Sequence, residues 1–263
     1  MRIVSLTTDF GIGDFEIGSM CGVILNLAPD TKIADLTHAI PPQNVLDAAV
    51  ILSRHFYYFP PDSIHVVVVD PGVGTDRRPL AALIKDQIYV GPDNGIITLV
   101  YQEAIRNNWQ SRFIHTNNEK YWLKDVSHIF HGRDVFAAVA GHLSAGIEIF
   151  DLGDEIFDPI LLDLPEPVID ENTIKGIVLR ADHFGNLETN IDQSILPGKG
   201  KVIVTIEGHE IIDLVNTFGD SETGDLVSMI DSSGQLSICV VNGSAKEKLG
   251  IDSGTAVEVR VSD

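Results

Sequence analysis

The feature that most constrains this chain is a change of texture around Asp158 to Asn172, where Pro159, Pro165 and Pro167 fall among acidic residues in the manner of a linker. Before it, short β-like runs alternate with helical patterns. After it, apolar and polar residues alternate with period two between turns. A single regular layer cannot carry both patterns, so two domains are expected. They are an α/β domain with a mainly parallel central sheet over residues 1–160, a linker over 161–172, and a smaller all-β, barrel-like domain over 173–263.

In the first part, Ile3 to Thr7, Lys32 to Asp35, Ile64 to Val69, Leu80 to Ile84 and Gln87 to Val90 read as strands. Ile17 to Leu27 and Val45 to Phe56 carry helical spacing, and a further helix is expected from Asp134 to Ala145. In the second part, Ile174 to Ala181, Lys201 to Ile206, Leu226 to Ile230, Leu236 to Val241 and Ala256 to Val261 read as strands. No internal repeat is visible.

Charge narrows the partners. With 38 acidic and 18 basic side chains, the formal charge of −20 repels nucleic acid and anionic membrane alike, while a cationic small molecule is tolerated. The run Val66 to Val69 ends at Asp70, and no stretch approaches the roughly 20 apolar residues of a membrane span. The early Asp9 argues against a secretory signal. Cys21 and Cys239 lie in apolar contexts and read as buried thiols of a reducing compartment, so a soluble, cytoplasmic protein is expected.

Ligands of α/β folds gather where irregular loops leave the carboxyl edge of the sheet. Three such turns stand out. Thr7-Thr8-Asp9-Phe10-Gly11 follows the first strand, and its Asp9 suits either a ribose diol or a turn. Asp70-Pro71-Gly72-Val73-Gly74-Thr75-Asp76-Arg77-Arg78 follows the most hydrophobic strand, and its glycine spacing fits neither a dinucleotide fingerprint nor a P-loop. Asp70 there needs a partner, with Arg77 or Arg78 at hand, and the pattern alone reads as a salt bridge more readily than as a catalytic group. Phe130-His131-Gly132-Arg133-Asp134 opens a helix, with Arg133 and Asp134 read as an ion pair. In the β-domain, Asp182-His183-Phe184-Gly185-Asn186 sets a carboxylate, an aromatic face and an amide in one turn, and Asn242-Gly243-Ser244-Ala245 is equally open between turn and ligand site.

Taken in order, TTDFG (7 to 11), THAIPPQNV (37 to 45), VVDPGVGTDRR (68 to 78), GPDNG (91 to 95), FHGRDVFA (130 to 137), DHFGN (182 to 186) and NGSA (242 to 245) resemble the S-adenosylmethionine hydroxide adenosyltransferase family, formerly of unknown function and similar to fluorinating and chlorinating enzymes. The resemblance implies hydrolysis of S-adenosylmethionine to adenosine and methionine without a metal or other cofactor. It implies a homotrimer whose ligand lies between the first domain of one subunit and the second domain of its neighbour. The family's Asp, Arg and His fall on Asp70, Arg77 and His131, with Arg78 the alternative if the register shifts by one. Asp9 matches the ribose-diol carboxylate, Asp182 and Asn186 the methionine contacts, Phe184 an aromatic wall, and Ser244 and Ala245 the adenine surroundings. Phe10, Phe130, Gly132 and Asn242 complete the substrate contacts that the motifs imply.

The halogenating relatives carry an aromatic residue where this chain has Asp70, a Tyr where it has His131, a small hydroxyl residue at Gly132 and a bulky aromatic at Gln43. A halide beside Asp70 would be repelled, whereas water would not, and that favours hydrolysis. Deprotonating water outright at neutral pH costs roughly 12 kcal/mol, so orientation must come first and proton loss later. An arginine-paired Asp70 is a poor base, which assigns it to orienting water and His131 to taking the proton, with Asp70 as base the alternative. Three rival readings remain: a metal-dependent hydrolase using Asp9, His38, Asp70, Asp93 and His131, a sensor that binds S-adenosylmethionine without turnover, and a halide-dependent adenosyltransferase.

Overall fold

A computed structural model describes residues 2–13, 15–196 and 201–262, and the chain divides into two units, 1–162 and 163–263. In the first unit the strands are β1 (Ile3–Thr8), β2 (Lys32–Thr37), β3 (Ile64–Val68), β4 (Pro79–Ile84), β5 (Gln87–Pro92), β6 (Ser111–His115) and β7 (Asp154–Ile156). Its helices are α1 (Glu16–Leu27), α2 (Val45–His55), α3 (Thr98–Arg106) and α4 (Ala138–Ser144).

The sheet order is β2-β1-β3-β5-β4-β6-β7. The expectation of a mainly parallel sheet is corrected here: β2-β1, β1-β3 and β3-β5 pair parallel, whereas β5-β4, β4-β6 and β6-β7 pair antiparallel. The physical reason is the turn at Lys85 and Asp86. Two residues cannot carry a crossover, and Lys85 adopts φ 56°, so β4 and β5 must form a hairpin.

The sheet is buried on both faces. Along β3, Ile64, Val66 and Val68 point into a core shared with Met20 and Ile24 of α1 and Val139 and Ala140 of α4. Val67, and Val69 just beyond the strand, face the opposite core with Ala48 and Leu52 of α2 and Val100 of α3. This two-sided burial explains the uninterrupted valine run. Parallel β1, β2, β3 and β5 all end at one edge of the sheet, and antiparallel β4 begins there, which is where α/β folds gather ligands. The loops carrying Asp9, His38, Asp70, Arg77 and Asp93 leave from that edge.

The second unit contains β8 (Val168–Asp170), β9 (Thr173–Ala181), β10 (Leu187–Asp192), β11 (Lys201–Ile206), β12 (His209–Ile212), β13 (Leu226–Ile230), β14 (Gln235–Val240), the short helix α5 (Ala245–Leu249) and β15 (Ala256–Ser262). The order β12-β11-β15-β9-β10-β14-β13 is antiparallel throughout, with β8 paired to β9. Leu214, just past β12, bridges to Ser228 of β13, so the sheet curls nearly into a barrel. Val178, Leu187, Val204, Ile238 and Val259 fill its interior, as period-two alternation requires. Among the described residues no helix is long and apolar enough to cross a membrane.

Candidate active site

The Asp70 loop folds back on itself through successive turns. Val73 N donates to Asp70 O at 3.2 Å, Thr75 N to Gly72 O at 3.1 Å, and Thr75 Oγ1 to Gly72 O at 2.7 Å. Gly74 has φ +77°, and a Cβ there would lie 2.5 Å from His128 O, so only glycine lets this loop press against the segment leading to His131. The return of the chain brings Arg77 over Asp70. Arg77 Nε donates to both carboxylate oxygens at 2.9 and 3.0 Å, and Nη2 donates to Oδ2 at 2.5 Å. The pair is buried, with side-chain exposures of 9% for Arg77 and 5% for Asp70.

The same Nη2 lies 2.9 Å from His131 Nδ1. A guanidinium only donates, so Nδ1 accepts, and the imidazole is the neutral tautomer with its proton on Nε2. Burial and the neighbouring Arg77 charge both push the His131 pKa below its ordinary value of 6.5, with Asp70 pulling the other way. His131 stands at the entrance to a π-helical turn, Gly132–Ala137, that runs into α4 in place of the regular helix expected from Asp134. Phe136 of that turn lies beneath Arg77, 5.1 Å from ring centroid to guanidinium carbon. Arg77 Nη1 is buried and makes no hydrogen bond to any described residue.

Arg78, the alternative to Arg77, pairs with other partners. It binds Asp93 at 2.7 Å and both the side chain and the backbone oxygen of Asp158 at 2.9 and 2.7 Å. Asp93 also accepts from Ile160 N at 2.8 Å. The Arg133–Asp134 ion pair forms as expected, at 2.5 Å. Asp9, His38, Asp70, Asp93 and His131 do not converge. Among the described residues no group of three or more His, Cys, Asp or Glu side chains is placed to hold a metal.

Around this centre, Phe10 and Phe130 meet edge to face with centroids 6.1 Å apart. A Cβ on Gly132 would sit 3.3 Å from Phe10 Cζ and 3.4 Å from Phe130 Cε2, so these three residues form one tight aromatic corner. Asp9 Oδ2 accepts from Gln43 N at 2.8 Å.

In the second unit, Asp182 Oδ1 accepts from Phe184 N and Asn186 N, both at 2.9 Å, and Oδ2 accepts from Asn186 Nδ2 at 2.8 Å. Gly185, at φ +82°, lies so close to Ser244 that any side chain would collide with it, and Lys246 N donates to Gly185 O at 3.0 Å. Ser244 caps α5 through Glu247 N, and Ala245 behind it is fully buried. Asn242, at φ 52°, donates to Thr223 Oγ1 at 2.9 Å. Phe184 stands 73% exposed. Asp182, Phe184, Asn186, Ser244 and Ala245 thus share one corner of the unit, with Asn242 on the segment that leads into it.

The sequence reading missed Phe136 and Asn94, whose Nδ2 holds Val69 O at 2.9 Å one residue before Asp70. Both lie inside recognised motifs, FHGRDVFA and GPDNG, but nothing in their local spacing marks a role. Cys21 and Cys239 are free thiols, Cys21 only partly buried.

A paired carboxylate, guanidinium and imidazole on the carboxyl edge of an α/β sheet, followed by an antiparallel near-barrel, define the class. The chain belongs to the SAM hydroxide adenosyltransferase family, whose N-terminal domain model matches residues 4–153 and whose C-terminal domain model matches residues 176–258. Among its relatives is an (R)-S-adenosyl-L-methionine hydrolase of Salinispora tropica, 36% identical over 259 residues that cover 97% of both chains. A fluorinase of Actinoplanes sp. is more distant, at 25% identity over 90% of each chain. A crystal structure of an uncharacterised conserved protein from Thermotoga maritima superposes with a TM-score of 0.88 at 34% identity, covering 97% of this chain and 99% of that one.

Proposed function

We propose that this protein hydrolyses S-adenosyl-L-methionine, with water attacking C5′ and methionine leaving as a neutral thioether, to give adenosine. The observation that carries the reading is that one guanidinium, Arg77, holds both Asp70 and His131. Names of relatives at 32–36% identity support the same reaction and specify the R configuration, which we propose for the sulfonium of this chain's substrate as well.

The leaving group departs from a cationic sulfur as an uncharged molecule, so no acid is required at that end. Water is the weak partner. Asp70 and His131, locked by Arg77, supply a hydrogen-bond acceptor and an Nε2–H donor from a rigid frame, and orientation of that kind contributes several kcal/mol. As the C–O bond forms, the attacking water becomes a strongly acidic oxonium, for which even an arginine-paired carboxylate is a competent base. The only lone pair of His131 outside its aromatic π system, on Nδ1, faces Arg77. We therefore assign proton acceptance to Asp70 and donation or positioning to His131, reversing the division that arginine pairing of Asp70 suggested from the sequence and adopting its alternative. The reaction as proposed draws on no metal or cofactor.

Asp9 is proposed to hold the ribose diol, Phe10, Phe130 and Gly132 to line the reacting end, and Asp182, Asn186, Phe184, Asn242, Ser244 and Ala245 to contact the methionine and adenine parts. A homotrimer in the cytoplasm is part of the same reading, and light scattering tests its mass. The deciding assay incubates protein with each sulfonium epimer, before and after EDTA treatment, and quantifies nucleoside and amino acid. Equimolar adenosine and methionine from the R epimer, undiminished by EDTA, is the expected result. Binding without turnover, loss of activity with metal removal, or a 5′-halogenated nucleoside in chloride or fluoride would overturn it.

A further inference from the structure

His38 belongs to the motif Thr37–Val45, and the reaction centre as proposed does not use it. Its ring nevertheless ties into the turn that follows β1. His38 Nδ1 lies 2.9 Å from Thr8 Oγ1, and Thr8 Oγ1 accepts from Phe10 N at 3.2 Å. On the other side of the ring, His38 Nε2 lies 3.2 Å from Asp35 Oδ1. Nε2 makes no hydrogen bond to any described residue, so the bond that ties the ring to the turn is the one between Nδ1 and the Thr8 hydroxyl, which also accepts from the Phe10 amide. Thr8 is wholly buried and His38 nearly so, whereas Asp35 reaches solvent.

The backbone repeats the attachment. Gly11 N donates to His38 O at 2.9 Å, and five residues on, Gln43 N donates to Asp9 Oδ2 at 2.8 Å from a left-handed φ of 64°. The loop that begins at His38 therefore grips the turn 8–11 at Thr8, Asp9 and Gly11. That turn carries Asp9 and Phe10.

We infer that His38 is a positioning residue: through the Thr8 hydroxyl it fixes the 8–11 turn, and so sets where Asp9 and Phe10 meet the ribose and the reacting end of the substrate. The inference rests on the proposed placement of the nucleoside at Asp9. It predicts an effect on substrate affinity and little on chemistry, because none of these contacts reaches Asp70, Arg77 or His131.

The experiment compares Asp9→Ala, Thr8→Val, Thr8→Ser, His38→Leu and His38→Asn in steady-state hydrolysis, each checked for a native melting transition. Thr8→Val keeps shape and loses the hydroxyl, and His38→Asn keeps a hydrogen-bonding group close to the position of Nδ1. Thr8→Val and His38→Leu should raise KM about tenfold with kcat within threefold, while Thr8→Ser and His38→Asn recover most of the affinity. The double variant Thr8→Val/His38→Leu should be no worse than either single change. If Asp9→Ala leaves KM unchanged, the nucleoside placement itself is wrong. If Asp9→Ala raises KM but folded Thr8→Val and His38→Leu do not, or if they lower kcat equally, the positioning role is overturned.

Discussion

Just beyond β3, Asp70 gives both carboxylate oxygens to a side chain seven residues away, and just beyond β9, Asp182 gives both to the backbone and amide of its own turn. The first arrangement is a buried ion pair extended to a histidine. The second is a local turn that displays an exposed aromatic ring. A buried charge pair contributes little net stability, yet it fails severely when one member is removed, because the survivor keeps its desolvation penalty. A turn closed by three hydrogen bonds fails by the sum of modest terms. The contrast assigns rigid electrostatics to the Asp70 loop and shape to the Asp182 turn.

Arg77→Met breaks the first arrangement most directly. It should cost about 3 to 5 kcal/mol of stability by stranding Asp70, and lower turnover by roughly a thousandfold or more. Chemical denaturation and single-turnover rates measure the two effects separately. Arg78→Ala separates structure from chemistry at adjacent positions. It strands buried Asp93 and should cost about 3 kcal/mol, while kcat per folded molecule stays within twofold.

Acid sharpens the comparison, because the histidines held neutral lie in the first unit. Burial lowers His65 to about 4 from 6.5, between Ser5 Oγ at 2.8 Å and Gln87 Oε1 at 2.9 Å. Between those values the unfolded chain binds the extra proton, so stability is full above pH 6.5 and falls by about 3 kcal/mol as pH drops towards 4. The lowered His131 works in the same direction on activity. Protonation places a second cation against Arg77, and because the His131 pKa is lowered, kcat/KM should stay flat through its ordinary titration range and decline only further into acid. A smaller loss is expected from Asp182→Ala, about 2 kcal/mol together with a raised KM, and Asp182→Asn should recover part of both by retaining one acceptor. Equilibrium melts and initial-rate kinetics read out both variants.

Strands with strong alternation or valine runs were legible, as were α1 and α2 with their apolar spacing. The mixed character of the first sheet was written in the two residues between Ile84 and Gln87, which permit a hairpin and no crossover. α3 and β10 were passed over for different reasons. α3 buries only Thr98, Val100 and Ala104, and β10 reads as polar because Glu188 and Thr189 are buried by tertiary contacts. Which of Arg77 and Arg78 pairs with Asp70 could not be read from adjacent residues of one type. It depends on Asp158, eighty positions away in sequence from Arg78. The π-helical turn after His131 likewise depends on packing, with Leu123 N donating to Asp134 O at 2.8 Å.

The central claim is that water oriented by Asp70, Arg77 and His131 attacks C5′. Turnover in water enriched in oxygen-18 tests it directly by mass spectrometry of both products. The account predicts one labelled oxygen in adenosine, on the 5′ carbon, and none in methionine. Label in methionine, or unlabelled adenosine, would contradict it.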